Sequence, residues 1–222
     1  MAAGHLSAVG GMDERVSIRA HFERFPATVK GAFVLKAADR DPHQVRIDAA
    51  RVREMSGLGA FPIGLEPVTL DVAPNLDLFV PFEFAITELS AGWYDLECDV
   101  AIDGDRENVR PPKRFAVPWP RATVRRGNLK VDKTARVEGG AKVHVEQVEC
   151  GGDSIRLVYT VSPAEEITIS LAVDGDPLTI LDSELDLETG SGRVTAYPVL
   201  RSHTRLMIEV DGLPTPIELR LP

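Results

Sequence analysis

This chain has little that favours helices. No segment repeats apolar residues at i, i+3, i+4 and i+7 over three turns. The nearest, residues 45–55 (VRIDAARVREM), sets Val45, Ile47 and Ala49 in alternation, so a strand with a bulge near Ala50 fits as well as a short helix. No run approaches the ~18 apolar residues of a membrane helix, so no membrane span is expected. Aromatic residues are 6% of the chain and fall mostly at apparent core positions, thin support for a carbohydrate-binding platform. The N-terminus lacks both a charged n-region and a long apolar h-region, so no signal peptide is expected, and residues 1–12 read as a loose tail.

Cysteine is also scarce. Cys98 and Cys150 fall one to each half, which leaves no disulfide within a domain and points to reduced thiols in a cytoplasmic protein. Cys98 alternates with Val100 and Ile102 and reads as a core thiol. Catalytic signatures are missing too. There is no Gly-x-Ser-x-Gly elbow, no phosphate-binding glycine loop and no His-Glu-x-x-His. His5, His21, His43, His144 and His203 have no partners at fixed spacing. No catalytic residue, cofactor or resident metal is therefore expected.

What the chain does have is alternation. Val16–Phe22, Thr28–Ala37, Trp93–Ile102 and Val109–Val117 read as strands, and Leu76, Leu78, Val80, Phe82 and Phe84 share one face of another. Pro81 lies on the opposite face of that strand and lacks a donor, which marks an edge or a bulge. In the second half, strands are expected at 143–149, 155–161, 167–173, 178–187, 193–199, 206–210 and 217–221. Seven short strands in about 100 residues indicate a β-sandwich.

One ending occurs twice. C-D-V-A-I-D-G from Cys98 and L-M-I-E-V-D-G from Leu206 each run through an Asp-Gly pair into a second strand and a proline, with Asp103-Gly104 and Asp211-Gly212 108 residues apart. Two similar β-domains in tandem follow, over residues 13–118 and 123–222, joined by a stiff proline-containing linker at 119–122. The segment L-S-A-G-W-Y-D-L-E-C-D-V resembles the corner before the penultimate strand of immunoglobulin-like domains, with Tyr94 as the tyrosine that folds back on the chain. R-F-P-A-T-V-K-G-A-F-V-L (24–35) and F-V-P-F-E-F-A-I (79–86) resemble the early hairpin and the P-F-x-F strand of arrestin-like proteins, including bacterial sporulation-control relatives. That resemblance implies a cytoplasmic, non-enzymatic adaptor of two β-sandwiches. No residues matching the charged interdomain core of eukaryotic arrestins are identified in the sequence, so the resemblance does not extend to a switch mechanism. The expected fold class is thus all-β, two tandem immunoglobulin-like or arrestin-like sandwiches.

The net charge of -9 is unevenly spread. Residues 106–136 carry 10 basic and 2 acidic residues, between arms of balance -8 (1–105) and -9 (137–222). The acidic arms argue against general nucleic-acid binding. The band could dock an acidic partner or pair internally. Candidate partner-binding residues within it are Arg121, Arg125, Arg126 and Lys130. Leu58, Phe61, Ile63 and Leu65 form a second candidate, an apolar set on the glycine- and proline-rich segment Ser56–Pro67 that acts either as a docking patch or as a lid over the core. His144 and Glu146, two apart on a strand, could hold a metal with a third ligand, though a solvated strand face is the plainer reading. Asp99, Asp103, Asp105 and Glu107 cluster around a turn. The same D-G-D recurs at Asp174-Gly175-Asp176, which favours a repeated hairpin solution over calcium. The expected function is a non-catalytic interaction, adaptor or structural module that contacts a protein partner, with self-association through sheet edges as one route. Alternatives are a carbohydrate- or anion-binding module, or an enzyme with a site between the domains.

Overall fold

The computed structural model describes residues 15–57 and 59–221, and clusters into two compact units, Met1–Val117 and Pro118–Pro222. The tail expected over residues 1–12 lies outside the described residues, as does Leu58. Among the described residues there is no helix, and none therefore long and apolar enough to cross a membrane.

Unit 1 contains β1 (Val16–Arg24), β2 (Thr28–Ala37), β3 (His43–Glu54), β4 (Ala60–Ile63), β5 (Val68–Val72), β6 (Leu78–Ala85), β7 (Gly92–Ile102), β8 (Asp105–Val109) and β9 (Arg114–Val117). Unit 2 contains β10 (Gly127–Arg136), β11 (Lys142–Cys150), β12 (Ile155–Ser162), β13 (Ile169–Val173), β14 (Asp176–Pro177), β15 (Ile180–Leu185), β16 (Ser191–Ala196), β17 (Arg205–Val210) and β18 (Ile217–Arg220).

Each unit is two sheets over one core. In unit 1 the sheet β1-β2-β6 faces β4-β3-β7-β8, with β5 on the same edge of β3 as β4, and β9 on the same edge of β7 as β8. In unit 2 the sheet β10-β11-β12-β16-β15 faces β14-β13-β17-β18. Lettered from A to G in chain order, unit 1 reads A-B-E against C′-C-F-G. Unit 2 reads A-B-E-D against C′-C-F-G, with β10 added outside A. Both are the immunoglobulin-like strand order.

The cores follow from period-two alternation. In unit 1, Val29, Phe33 and Leu35 of β2 meet Val45, Ile47, Leu96, Cys98 and Val100 from the opposing sheet, all at most 1% exposed. In unit 2, Leu157 and Tyr159 meet Leu171, Leu206 and Ile208. Full burial of each large apolar side chain contributes roughly 1.5–3 kcal/mol. Tyr94 closes the E–F corner, its hydroxyl donating to the Ser90 carbonyl at 3.0 Å.

Several strand expectations are corrected. Of the two alternatives for residues 45–55, the strand is the one formed, through Glu54 with Met55 in the turn that follows, and the extra residue is Asp48 and not Ala50, between Ile47 opposite Val100 and Ala49 opposite Asp99. Val109–Val117 is not one strand, because Pro111 and Pro112 interrupt it between β8 and β9. Strand β10 lies outside the strands that alternation predicts. Its apolar residues Leu129 and Val131 are half-buried, and a register shift between Lys130 and Lys133 breaks the alternation that would reveal it. Leu76 lies before β6 and is 51% exposed, whereas Val80 and Phe82 are buried as expected.

The two Asp-Gly endings both follow the F strand but are different turns. Asp103 (φ 52°) and Gly104 (φ 94°) make a two-residue hairpin with both central φ values positive, the type I′ pattern. At Asp211-Gly212 only Gly212 has a positive φ (74°), and the Leu213 N–H donates to the Val210 carbonyl at 2.9 Å, a type II pattern. The local twin of Asp103-Gly104 is Asp174-Gly175 between β13 and β14, with φ values of 52° and 101°. Both twins lock the strand beside them. The Asp103 N–H donates to the Gln44 carbonyl and the Gln44 N–H to Asp103 Oδ1, each at 2.9 Å. The Asp174 N–H donates to the Arg205 carbonyl at 3.1 Å and the Arg205 N–H to Asp174 Oδ1 at 2.9 Å.

Close packing demands glycine at Gly192. A Cβ there would lie 2.2 Å from the ring of its register partner Tyr159, which is 1% exposed. Gly192→Ala is expected to destabilise the chain by about 1–3 kcal/mol through overpacking. Urea unfolding measures this, and a midpoint unchanged from wild type would refute the packing described.

Candidate functional site

The most organised polar surface among the described residues is the outer face of the β3–β7–β8/β9 sheet in unit 1. The bulge at Asp48 builds it. Before the bulge, His43, Val45 and Ile47 point inward; after it, Ala50, Val52 and Glu54 do. The one-residue step therefore turns Arg51 and Arg53 outward. On β7 the residues between the core positions are Trp93, Asp95, Glu97, Asp99 and Ala101, and the middle three are acidic. Register places Arg51 opposite Glu97 and Arg53 opposite Asp95, with Asp95 also opposite Arg114 of β9.

Glu97 is the centre of this face and has no exposed surface. Its Oε2 accepts from Arg51 Nε at 2.8 Å, and its Oε1 lies 2.6 Å from Arg53 Nε and 2.7 Å from Arg110 Nη2. Burial alone would push the carboxyl up, but the three guanidinium groups outweigh it and hold Glu97 below its ordinary range. Arg51 also grips Asp99 with a two-pronged contact, Nη1 to Oδ2 at 2.7 Å and Nη2 to Oδ1 at 3.0 Å. That contact, with Asn108 donating at 2.9 Å, holds Asp99 low. Arg114 Nε donates to Asp95 at 2.9 Å.

A second cluster gathers around the F–G turn. His43, 7% exposed, lies 2.7 Å by Nδ1 from Asp103 Oδ2 and 2.8 Å by Nε2 from Asp39 Oδ1. Both ring nitrogens meet carboxylates, so the imidazolium is favoured and its pKa is raised, first by Asp103 and then by Asp39. Arg15 reaches Asp105 at 3.0 Å, and Asp103 and Glu107 each at 3.8 Å. The carboxylates Asp99, Asp103, Asp105 and Glu107 are thus shared out among Arg51, His43 and Arg15, and the turn itself is the repeated hairpin solution.

The sequence-derived site residues scatter. Ile63 is 4% exposed, Phe61 and Leu65 pack on the unit 1 core, and Phe61 meets Tyr94 edge-on at 6.4 Å between ring centroids. These three side chains lie against the core, the placement of a lid, with Ile63 buried and Phe61 and Leu65 half-buried. In the basic band, Arg110 and Arg114 serve Glu97 and Asp95. Lys113 donates to the Phe22 carbonyl at 2.9 Å and sits 4.3 Å over its ring. Lys133 donates to the Glu218 carbonyl at 2.8 Å. Arg125 is half-buried, and its Nη2 donates to the His203 carbonyl at 3.2 Å, so it braces unit 2 and is not an open contact residue. Arg121, Arg126 and Lys130 are exposed. His144 bonds Thr134 Oγ1 at 2.9 Å, and Glu146 is the extra residue of a register shift between Val145 and Gln147, so the two are not simple same-face neighbours. No group of three or more side chains suited to a metal occurs among the described residues. Cys98 and Cys150 are buried free thiols, and burial pushes Cys98 up to about 12.

The arginine–carboxylate face escaped sequence reasoning. The available signal was Arg51-x-Arg53 on one strand and Asp95-x-Glu97-x-Asp99 on another, opposite charges at period two on the non-core positions.

No family model matches this chain, and no curated protein does. Solved structures similar to it include a conserved domain protein from Bacillus anthracis (TM-score 0.37, 10% identity, 95% of this chain and 89% of that one). A marsupial T cell receptor aligns with TM-score 0.27 and 11% identity over 86% of this chain and 57% of that one. The C-terminal domain of the Streptococcus agalactiae AgI/II polypeptide BspA aligns with TM-score 0.22 and 10% identity over 91% and 96%. The assignment to two immunoglobulin-like β-sandwiches rests on the strand orders given above.

The His43 bridge has a defined pH signature. A raised folded pKa means its stabilisation is fully present below about pH 6.5, the unperturbed value, and is lost as pH rises through the folded value. Asp39 and Asp103 are held low by His43, so the bridge is also lost at strongly acid pH, as those carboxylates protonate below 3.8. The stability gap between wild type and His43→Gln is expected to be wide in mildly acid solution, below about pH 6.5, and to shrink as pH rises above the ordinary histidine value. Thermal unfolding across pH reads it. A gap that widens with rising pH would contradict the bridge.

Proposed function

We propose that this chain is a non-catalytic interaction module, an adaptor or structural element of the cytoplasm, that recognises a protein partner through sheet faces. The observation that carries this reading is the ordered arginine–carboxylate face around Glu97. A sheet surface with charged side chains fixed by mutual contacts is suited to reading another surface, because little side-chain entropy remains to be lost on binding.

The sheet edges favour faces over strand addition. Pro81 sits in the edge strand β6 opposite Ala32, and a proline fits a ladder only where its missing donor faces away from the partner strand. The open side of β6 therefore lacks a donor in mid-strand. Edge strand β10 carries Lys130, Lys133 and a register shift with Asp132 at φ 51°. Pro62 lies within the four-residue β4. These are devices that blunt edge pairing, so self-association through edges is not the route favoured by this reading. The buried thiols Cys98 and Cys150 suit a reducing compartment.

The test is affinity capture of the tagged full chain from its native host, at low and moderate salt, for wild type and for the Arg121→Glu, Arg126→Glu, Lys130→Glu variant. One stoichiometric protein partner in the wild-type capture is the expected result. Weaker recovery at moderate salt or with the variant would assign unit 2's exposed cations a role. A preparation that carries no protein at either salt, and turns over a general esterase, phosphatase or glycosidase substrate, would overturn the reading.

A further inference from the structure

Three arginines converge on one buried carboxylate, and the charges do not cancel. Glu97 spends Oε2 on Arg51, and its Oε1 alone serves both Arg53 and Arg110. Arg51 has a second anion in Asp99. Asp95, the register partner of Arg53, gives Oδ1 to Arg114. Two guanidinium groups thus meet on a single oxygen that an unassisted pair of like charges would not share. We propose that Arg53 and Arg110 form an oxyanion-binding site that takes a carboxylate from an acidic segment of a protein partner. The site rests on the interaction-module reading above and names its surface and the partner's chemistry.

The donors are available and already oriented. A guanidinium carries five N–H donors. The contacts to Glu97 use one from Arg53 and one from Arg110, whose side chains are 43% and 53% exposed. Glu97 holds Arg53 by Nε and Arg110 by Nη2, which restrains both side chains before an anion arrives and leaves the other guanidinium N–H groups for it. The face already demonstrates the match, since Arg51 holds Asp99 with two parallel contacts at 2.7 and 3.0 Å. A second carboxylate on Arg53 and Arg110 would further offset the repulsion between two guanidinium groups that share one Glu97 oxygen.

The experiment uses the full chain with hexaglutamate as probe, read by the Nε–Hε resonances of the arginines. Saturable shifts at Arg53 and Arg110 are expected, fading as salt rises. Arg110→Lys keeps a positive charge beside Glu97, so the fold is retained, but it lacks the fork. It is expected to weaken hexaglutamate binding by about tenfold. Arg121→Gln with Lys130→Gln removes two charges from unit 2 and is expected to leave the affinity unchanged. Shifts that never saturate, or an equal loss in the unit 2 variant, would overturn the site. So would saturation by inorganic phosphate with no response to hexaglutamate. A captured partner whose affinity ignores Arg53 and Arg110 would overturn this site while leaving the interaction-module reading in place.

Discussion

Strand β7 is the constraint on which unit 1 depends. It pairs with β3 on one side and with β8 and β9 on the other. Its even-numbered residues Tyr94, Leu96, Cys98, Val100 and Ile102 fill the core, and its odd-numbered Asp95, Glu97 and Asp99 line the outer face. Its N-terminal end makes the tyrosine corner and its C-terminal end the Asp103-Gly104 turn. A one-residue slip would exchange the two faces, turning three carboxylates into the apolar core and the core side chains outward. Register is therefore strongly specified, and the ion-paired outer face is the counterpart of the apolar inner one.

The two units share one plan and solve local problems differently. Each is a C′-C-F-G sheet against a sheet built on A, B and E. The reciprocal type I′ lock ties the F–G turn to strand C in unit 1 through Asp103 and Gln44. In unit 2 the same lock ties the C–C′ turn to strand F through Asp174 and Arg205. C and F are neighbours in both sheets, so the lock pins the same pair of strands from opposite partners. The charged features of unit 1 are spent on face and turn. Those of unit 2 brace the start of the unit through Arg125 and leave Arg121, Arg126 and Lys130 exposed.

Much of the fold was legible because a half-buried strand writes its burial into alternation. Thr28–Ala37 is bounded by a turn on each side, and its expected limits match β2. Tyr94 could be placed at a corner because the residues around it follow a fold-level pattern. Legibility failed where the ladder is irregular. Asp48 shifts the alternation of β3 by one, and the shift near Asp132 hides β10. It failed again where contacts join distant positions: Glu97 draws on residues 51, 53 and 110, and no local window contains all of them. The Asp-Gly repeat located the F–G connections but not their turn types, since those depend on the loop length that follows. The apolar segment Ser56–Pro67 carries the composition of a patch and of a lid alike, and only the packing of Phe61, Ile63 and Leu65 separates the two.

The central claim is that the guanidinium groups of Arg51, Arg53 and Arg110 outweigh the burial of Glu97 and keep it charged on the outer face of the sheet. Direct titration of the Glu97 side-chain carboxyl carbon by NMR measures that balance. The account predicts a value below 4.5, the unperturbed carboxyl. A value above it would mean that desolvation wins, that Glu97 is neutral under mildly acid conditions, and that the arginine face is not organised by its charge.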